Sequence, residues 1–179
     1  MSVHIDARDF DQLARALNRL PGEIKAKAIA RALRRVGEMA RTRVVRRAAQ
    51  QSGMPQRDVR SRTLMFNAGG STQEIVMRSE WWPLFKLGGA RQTATGVTVR
   101  NWGHHKGTFI AGMKSKHSGV FRREGKARLP IRELWGPNPV SFVLDHADEY
   151  EAILEQVADD MMLPRLLHEV DRLLAAVAP

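Results

Sequence analysis

Three kinds of side chain in this sequence could do chemistry: a few histidines, a run of carboxylates and a dense set of guanidinium groups. His104 and His105, with His117 further on, form the one histidine cluster, and histidine is the commonest protein ligand for transition metals. Adjacent residues of a strand point to opposite faces, which is poor geometry for chelating one ion. Polar loop positions or subunit contacts are the better reading. The carboxylates crowd toward the C-terminus, where Asp145, Asp148, Glu149 and Glu151 open a helical pattern. Negative charge there suits the positive end of the helix dipole, so capping accounts for them. A two-carboxylate hydrolase would need a second group from elsewhere, and nothing singles one out. The sequence holds no Gly-x-Ser-x-Gly elbow, no phosphate-binding glycine loop and no dinucleotide fingerprint. It also has no cysteine, which removes thiolate chemistry and disulfides and fits a reducing cytosol. These residues point away from an enzyme and call for no metal and no cofactor.

The guanidinium groups carry more information. The formal charge is +10 over 179 residues and the pI is near 11.0, a field that favours polyanions or an acidic partner surface. It is unevenly spread. Residues 21–62 hold 12 Lys and Arg against 3 Asp and Glu, a net of 12 − 3 = +9, whereas residues 144–179 hold 2 against 9, a net of 2 − 9 = −7. Opposite ends could pair within one subunit or between neighbours. Arg34, Arg41 and Arg46 in the first region, and Lys114, Lys116, Arg122, Arg123, Lys126 and Arg128 in the middle, are candidate contacts with a partner or with DNA. Asp159 and Asp160 are candidate subunit-interface acids. Trp81, Trp82, Trp102 and Trp135 are too many to leave exposed singly. Two fill a core by default, and Trp81, Trp82 and Trp135 are candidates for an interface, where indoles supply large buried area.

The elements that must position these groups follow from periodicity. Asp6 to Leu20 reads as a short helix ended by Pro21-Gly22. Ile24, Ala28, Ile29, Leu33, Val36, Ala40, Val44 and Ala48 then keep a helical period to about Gln51, with Ser52-Gly53 as the stop. Its other faces carry Arg31, Arg34, Arg35, Arg41, Arg43, Arg46 and Arg47 with few acids between them, so like charges repel unless something negative lies near. Met54 to Ser61 permits one more helical turn. Short strands are predicted at 62–67, 74–79, 96–101, 108–113 and 119–123, separated by glycine-rich connections. Residues 81–89 read as a loop with buried aromatics, and the prolines after Lys126 predict extended chain to Pro139. A last helix is predicted from about Asp145, with Tyr150, Ile153, Val157, Met161, Leu167, Val170, Leu174 and Val177 in phase. Pro164 predicts a kink or break near 160–163. The N-terminus carries acids where a signal peptide needs a basic start, and no apolar window is long enough to span a membrane. One domain over 1–179 is expected, with a basic helical region at 1–62, a β-rich region at 63–143 and an acidic helical region at 144–179.

The run Gly107-Thr108-Phe109-Ile110-Ala111-Gly112-Met113, the strand Gly119-Val120-Phe121-Arg122-Arg123, the segment Leu129-Pro130-Ile131 and the turn Gly136-Pro137 occur in this order between a basic helix and a C-terminal helix. In this arrangement the chain resembles the phage minor tail protein Z family, within the broader group of tail-completion and head-to-tail joining proteins. It departs from the family's pattern at Asn138-Pro139, where a serine and an aliphatic residue are expected. The resemblance implies an α+β fold in which a small antiparallel sheet packs against the long N-terminal helix, followed by a kinked C-terminal helix. It implies a structural virion protein without enzymatic activity, made and assembled in the bacterial host cytoplasm and residing in the tail or neck. As partners it implies further copies in a ring, a hexamer by the symmetry of long non-contractile tails, together with tail-tube and head-connector proteins and non-specific contact with packaged DNA. The reading from composition alone, in a different class, is a basic nucleic-acid-binding module that uses the arginine-rich helix 23–51, which offers charge but little base-reading code.

Overall fold

The chain is α+β in a computed structural model that describes residues 21–69 and 72–176. The helix expected at Asp6–Leu20 lies outside the described residues. A long helix α1 (Gly22–Ser52) and a short α2 (Gln56–Arg62) lead into strands β1 (Thr63–Gly69) and β2 (Thr72–Met77). A 3-10 turn at Leu84–Leu87 precedes β3 (Arg91–Gln92), β4 (Gly96–Val99), β5 (Gly103–Lys106), β6 (Thr108–Gly112), β7 (Ser118–Arg123) and β8 (Ile131–Glu133). Two helices close the chain, α3 (Pro139–Asp145) and α4 (Ala147–Ala175). The strands form three small sheets, β1-β2, β3-β4-β5 and β6-β7-β8. The described residues group into two compact units, the first from residues 21–41, 65–69, 72–75 and 152–176, and the second from 42–64 and 76–151.

The first unit is built on a row of small residues. Alanine, arginine, lysine and glutamate are strong helix formers, and α1 is made largely of them. The Pro21 carbonyl accepts from the amides of Ile24 and Lys25 to start the helix. Every fourth residue, Ala28, Ala32, Val36 and Ala40, is buried. Ala28 and Ala32 pack on Leu166 with Met162, Val170 and Leu173 of α4, and Val36 and Ala40 pack on Val157 with Met161 of α4 and Ile75 of β2. Small side chains on one helix thus meet long ones on the other. The apolar face of α4 rotates partway along: Val157 and Met161 serve its first half, and Leu166, Val170 and Leu173 its second. Leu167 and Leu174, expected in the buried phase, are instead exposed. The change of face falls across Pro164, whose ring offers no donor to the Asp160 carbonyl. The helix continues through that proline without a break, held by apolar residues on both sides of it.

The second unit gathers the other end of α1. Val44, Val45, Ala48 and Ala49 are buried, as are Val59 of α2, Val97 and Val99 of β4, and Val120 and Phe121 of β7. The helix stops where Gly53 takes a left-handed φ of +66°, open to glycine at little cost. Two polar side chains join the three-stranded sheets. Gln92 of β3 accepts from the Ile110 amide of β6 and donates to the Gly96 carbonyl. The Thr108 hydroxyl donates to the His105 carbonyl and accepts from the Val97 amide. At Gly96 a Cβ would lie 2.1 Å from the His105 carbonyl oxygen, so only glycine permits this approach. The extended run ends at Asn138, and helix begins there, earlier than the expected start near Asp145. Asn138 caps α3, its side-chain oxygen accepting from the Val140 amide while its amide group donates to Ser79, and Pro139 occupies the first helical turn, where a missing N–H costs nothing.

Basic α1 and acidic α4 also meet inside this unit. Glu149 accepts from Arg47 at 2.6 Å and from Gln51 at 2.9 Å. The Tyr150 hydroxyl donates to Gln51 at 2.5 Å, and burial, reinforced by the Glu149 charge, pushes its pKa above 10.0.

Two consequences can be measured. Ala32 is fully buried beside Leu166, so Ala32→Leu overpacks the helix pair and lowers stability by about 1–3 kcal/mol, read as a shift of the urea midpoint, whereas Leu at exposed Ala30 leaves it nearly unchanged. In the unfolded chain Tyr150 ionises near pH 10, before the folded chain does. Its contribution is therefore complete below that pH and is lost as pH rises through the folded value. Tyr150→Phe removes that part of the alkaline slope and costs roughly 0.5–1.5 kcal/mol at neutral pH.

Candidate functional site

The charged side chains gather at two separate places, one in each unit. In the first unit, successive turns of α1 present Arg31, Arg34 and Arg35, and α4 presents Arg165, His168 and Arg172 to the same cleft, of about 340 Å³. The supply of negative charge is thin. Glu38 serves both Arg34, at 3.7 Å, and Arg35, at 3.1 Å. The buried Glu169 serves Arg172 at 3.4 Å. Neither Arg31 nor Arg165 has a carboxylate partner among the described residues. Guanidinium groups arranged in this way fit carboxylate or phosphate oxygens, two N–H donors at a time.

In the second unit the β6–β7 hairpin carries basic residues at both ends. Its tip is closed by Met113, whose amide donates to the His117 carbonyl and whose carbonyl accepts from Lys116. Lys114 and Lys116 are exposed there. At the far end Arg122 stands directly across from Arg132 of β8, and these two, with Arg123 and Glu124, line a second cleft of about 330 Å³. Like charges directly opposite destabilise a strand pair. Arg123 is held by stacking its guanidinium 5.0 Å from the Phe109 ring and by donating to the Arg128 carbonyl. At about 3.4 Å per residue, Lys116 and Arg122 lie roughly 20 Å apart along the strand. The basic residues named from the middle of the sequence therefore stand at both ends of the hairpin rather than at one place.

The remaining positions divide by exposure. Arg46 is exposed and Arg41 half-buried. Asp159 and Asp160 are exposed on α4 with no ion-pair partner among the described residues. Trp82 is half-buried beneath the Arg62 guanidinium, 4.8 Å from its ring centre, and Arg62 also pairs with Glu80. Trp81 is 59% exposed and Trp135 51% exposed. Trp135 pairs with Pro83 in a short antiparallel bridge in which the Leu84 amide donates to the Leu134 carbonyl, and Trp81 lies just before it. In the 81–89 segment the buried residues are Pro83, Leu84 and Leu87, and the indoles lie outside that core. Trp102, the fourth indole, is half-buried.

The histidines do not converge. His104 lies between Thr95 and Thr98, 3.1 Å from each hydroxyl, and His117 bonds Glu133 at 2.9 Å. No group of three or more potential metal ligands is assembled among the described residues.

Sequence reasoning missed Arg165, His168, Arg172 and Arg132. The first three lie in a region whose net charge is negative, and they meet Arg31 only because α4 packs along α1. Arg132 is on a strand of three residues, too short to show alternation.

A family model described as prophage minor tail protein Z matches residues 8–177. No curated protein and no solved structure matches the chain.

Lys116 adopts φ of +64° at the hairpin tip, a conformation that costs a residue bearing a Cβ roughly 1–2 kcal/mol and glycine almost nothing. Lys116→Gly is expected to raise stability by about 1 kcal/mol in thermal or urea unfolding; a loss of stability would show that the lysine side chain itself holds the turn.

Proposed function

The chain belongs to the prophage minor tail protein Z family, which makes it a structural protein of the bacteriophage tail, and from that premise we propose that it completes the tail tube at its head-proximal end and joins it to the head connector. The observation that carries this reading is the family match over nearly the whole chain. The kinds of surface described above support it. A subunit held by neighbours on several sides needs more than one contact region, and this chain exposes an arginine cleft, a basic hairpin, an unpaired acidic stretch and two indoles. Indoles of this exposure are what interfaces bury.

In this reading the copies form a closed ring, taken as a hexamer, around or beside the path of the DNA. Assembly takes place in the host cytoplasm. The exposed lysines of the β6–β7 tip and the Arg122–Arg132 pair suit a duplex passing close by, because phosphate contact needs positive charge without base-reading geometry. The reading of α1 as a stand-alone DNA-binding helix is weakened by its packing: one face is buried against α4, and Arg47 pairs with Glu149.

Removing the chain from a phage that encodes it tests the proposal. Without it, filled heads and tails of normal length should accumulate unjoined, and supplying the wild-type chain in trans should restore infectious particles. Intact, infectious virions formed without the chain would end the proposal.

A further inference from the structure

Among the described residues the arginine cleft of the first unit is short of negative charge, and the acidic stretch 155–160 of α4 has no ion-pair partner. Among the described residues, five guanidinium groups, those of Arg31, Arg34, Arg35, Arg165 and Arg172, have the carboxylates of Glu38 and Glu169 as their ion-pair partners. Cations this close repel one another unless a counter-charge sits among them. Glu155, Asp159 and Asp160 of α4 are exposed and have no ion-pair partner among the described residues. None of them lines the cleft of its own chain or pairs with its arginines.

We propose that the cleft of one copy receives Glu155, Asp159 and Asp160 of the next. This rests on the ring reading above and names its contact. The spacing suits the match. Glu155 and Asp159 are four residues apart, about 6 Å along a helix, and so are Arg31 and Arg35. The donor and acceptor surfaces are different parts of one chain, so the contact is heterologous; repeated by a rotation that closes, it yields a ring. A phosphate backbone would satisfy the same guanidinium groups. The second copy is favoured because only it explains why the acids, too, are left unpaired.

Light scattering of the full-length chain across concentration and salt tests the contact. Wild type should form one defined oligomer that dissociates as salt rises. Arg31→Glu with Arg165→Glu in one chain, and Glu155→Arg with Asp159→Arg in another, should each weaken self-association by about tenfold or more. Mixed in equal amounts they should regain the wild-type mass, because each reversed surface meets a reversed partner. Circular dichroism checks that both fold, and Arg31→Gln with Arg165→Gln gives a milder version of the first. A mixture that stays dissociated, or a wild type that is monomeric throughout, overturns the contact. So does a wild type whose mass changes only on adding duplex DNA, with that change lost in the arginine variants. None of these results touches the tail assignment, which the phage deletion tests separately.

Discussion

The packing of α4 along the row Ala28, Ala32, Val36 and Ala40 of α1 is the constraint from which the first unit's chemistry follows. Because that row consists mostly of alanine, burying it uses one narrow stripe of the helix, and the remaining faces are free to carry charge. Most of the large side chains that pack on this row, Met161, Met162, Leu166 and Leu173 among them, come from α4, with Ile75 added by β2. Bringing α4 close also brings Arg165 and Arg172 to the arginines of α1. Among the described residues the repulsion this creates is offset only by Glu38 and Glu169, so the crowding of cations is a product of the packing itself. Exposed ion pairs such as Arg34–Glu38 are worth about 1 kcal/mol or less, so apolar burial, not pairing, holds the helices together.

The second unit solves a different problem. Its strands are short, and small sheets need help to persist. The side chains of Gln92 and Thr108 supply it by bonding backbone groups of neighbouring strands. This support fixes β6 and β7, which in turn place Lys114 and Lys116 at one end of the hairpin and Arg122 and Arg123 at the other. Opposing Arg122 to Arg132 costs the sheet stability.

Much of the helical architecture was legible in the sequence because its signals were local. The four-residue recurrence in α1 and the Ser52-Gly53 stop need no knowledge of the rest of the chain. The strands β5 and β8 were not legible. Gly103-His104-His105-Lys106 has no apolar alternation and becomes a strand only by pairing with β4. The buried phase of α4 was ambiguous for another reason: Leu166 and Leu167 are adjacent, as are Leu173 and Leu174, so a periodic pattern can be drawn through either set. Only the position of α1 decides between them. Asn138-Pro139, which reads as a departure from the family pattern, is a helix start made from a capping side chain and a proline at the first turn. The arginine cleft was half visible. Its α1 wall stands out in the sequence, while its α4 wall is hidden within an acid-rich stretch.

Where in the virion the chain sits decides between a joining subunit and any other tail component. The most direct measurement is electron cryo-microscopy of purified particles carrying a small rigid tag on this chain, with the tag density located against the tail axis. The account predicts one ring of tag density at the junction of tail tube and head connector, with the rotational symmetry of the tube. Density at the distal tip, or spread along the tube, would contradict it.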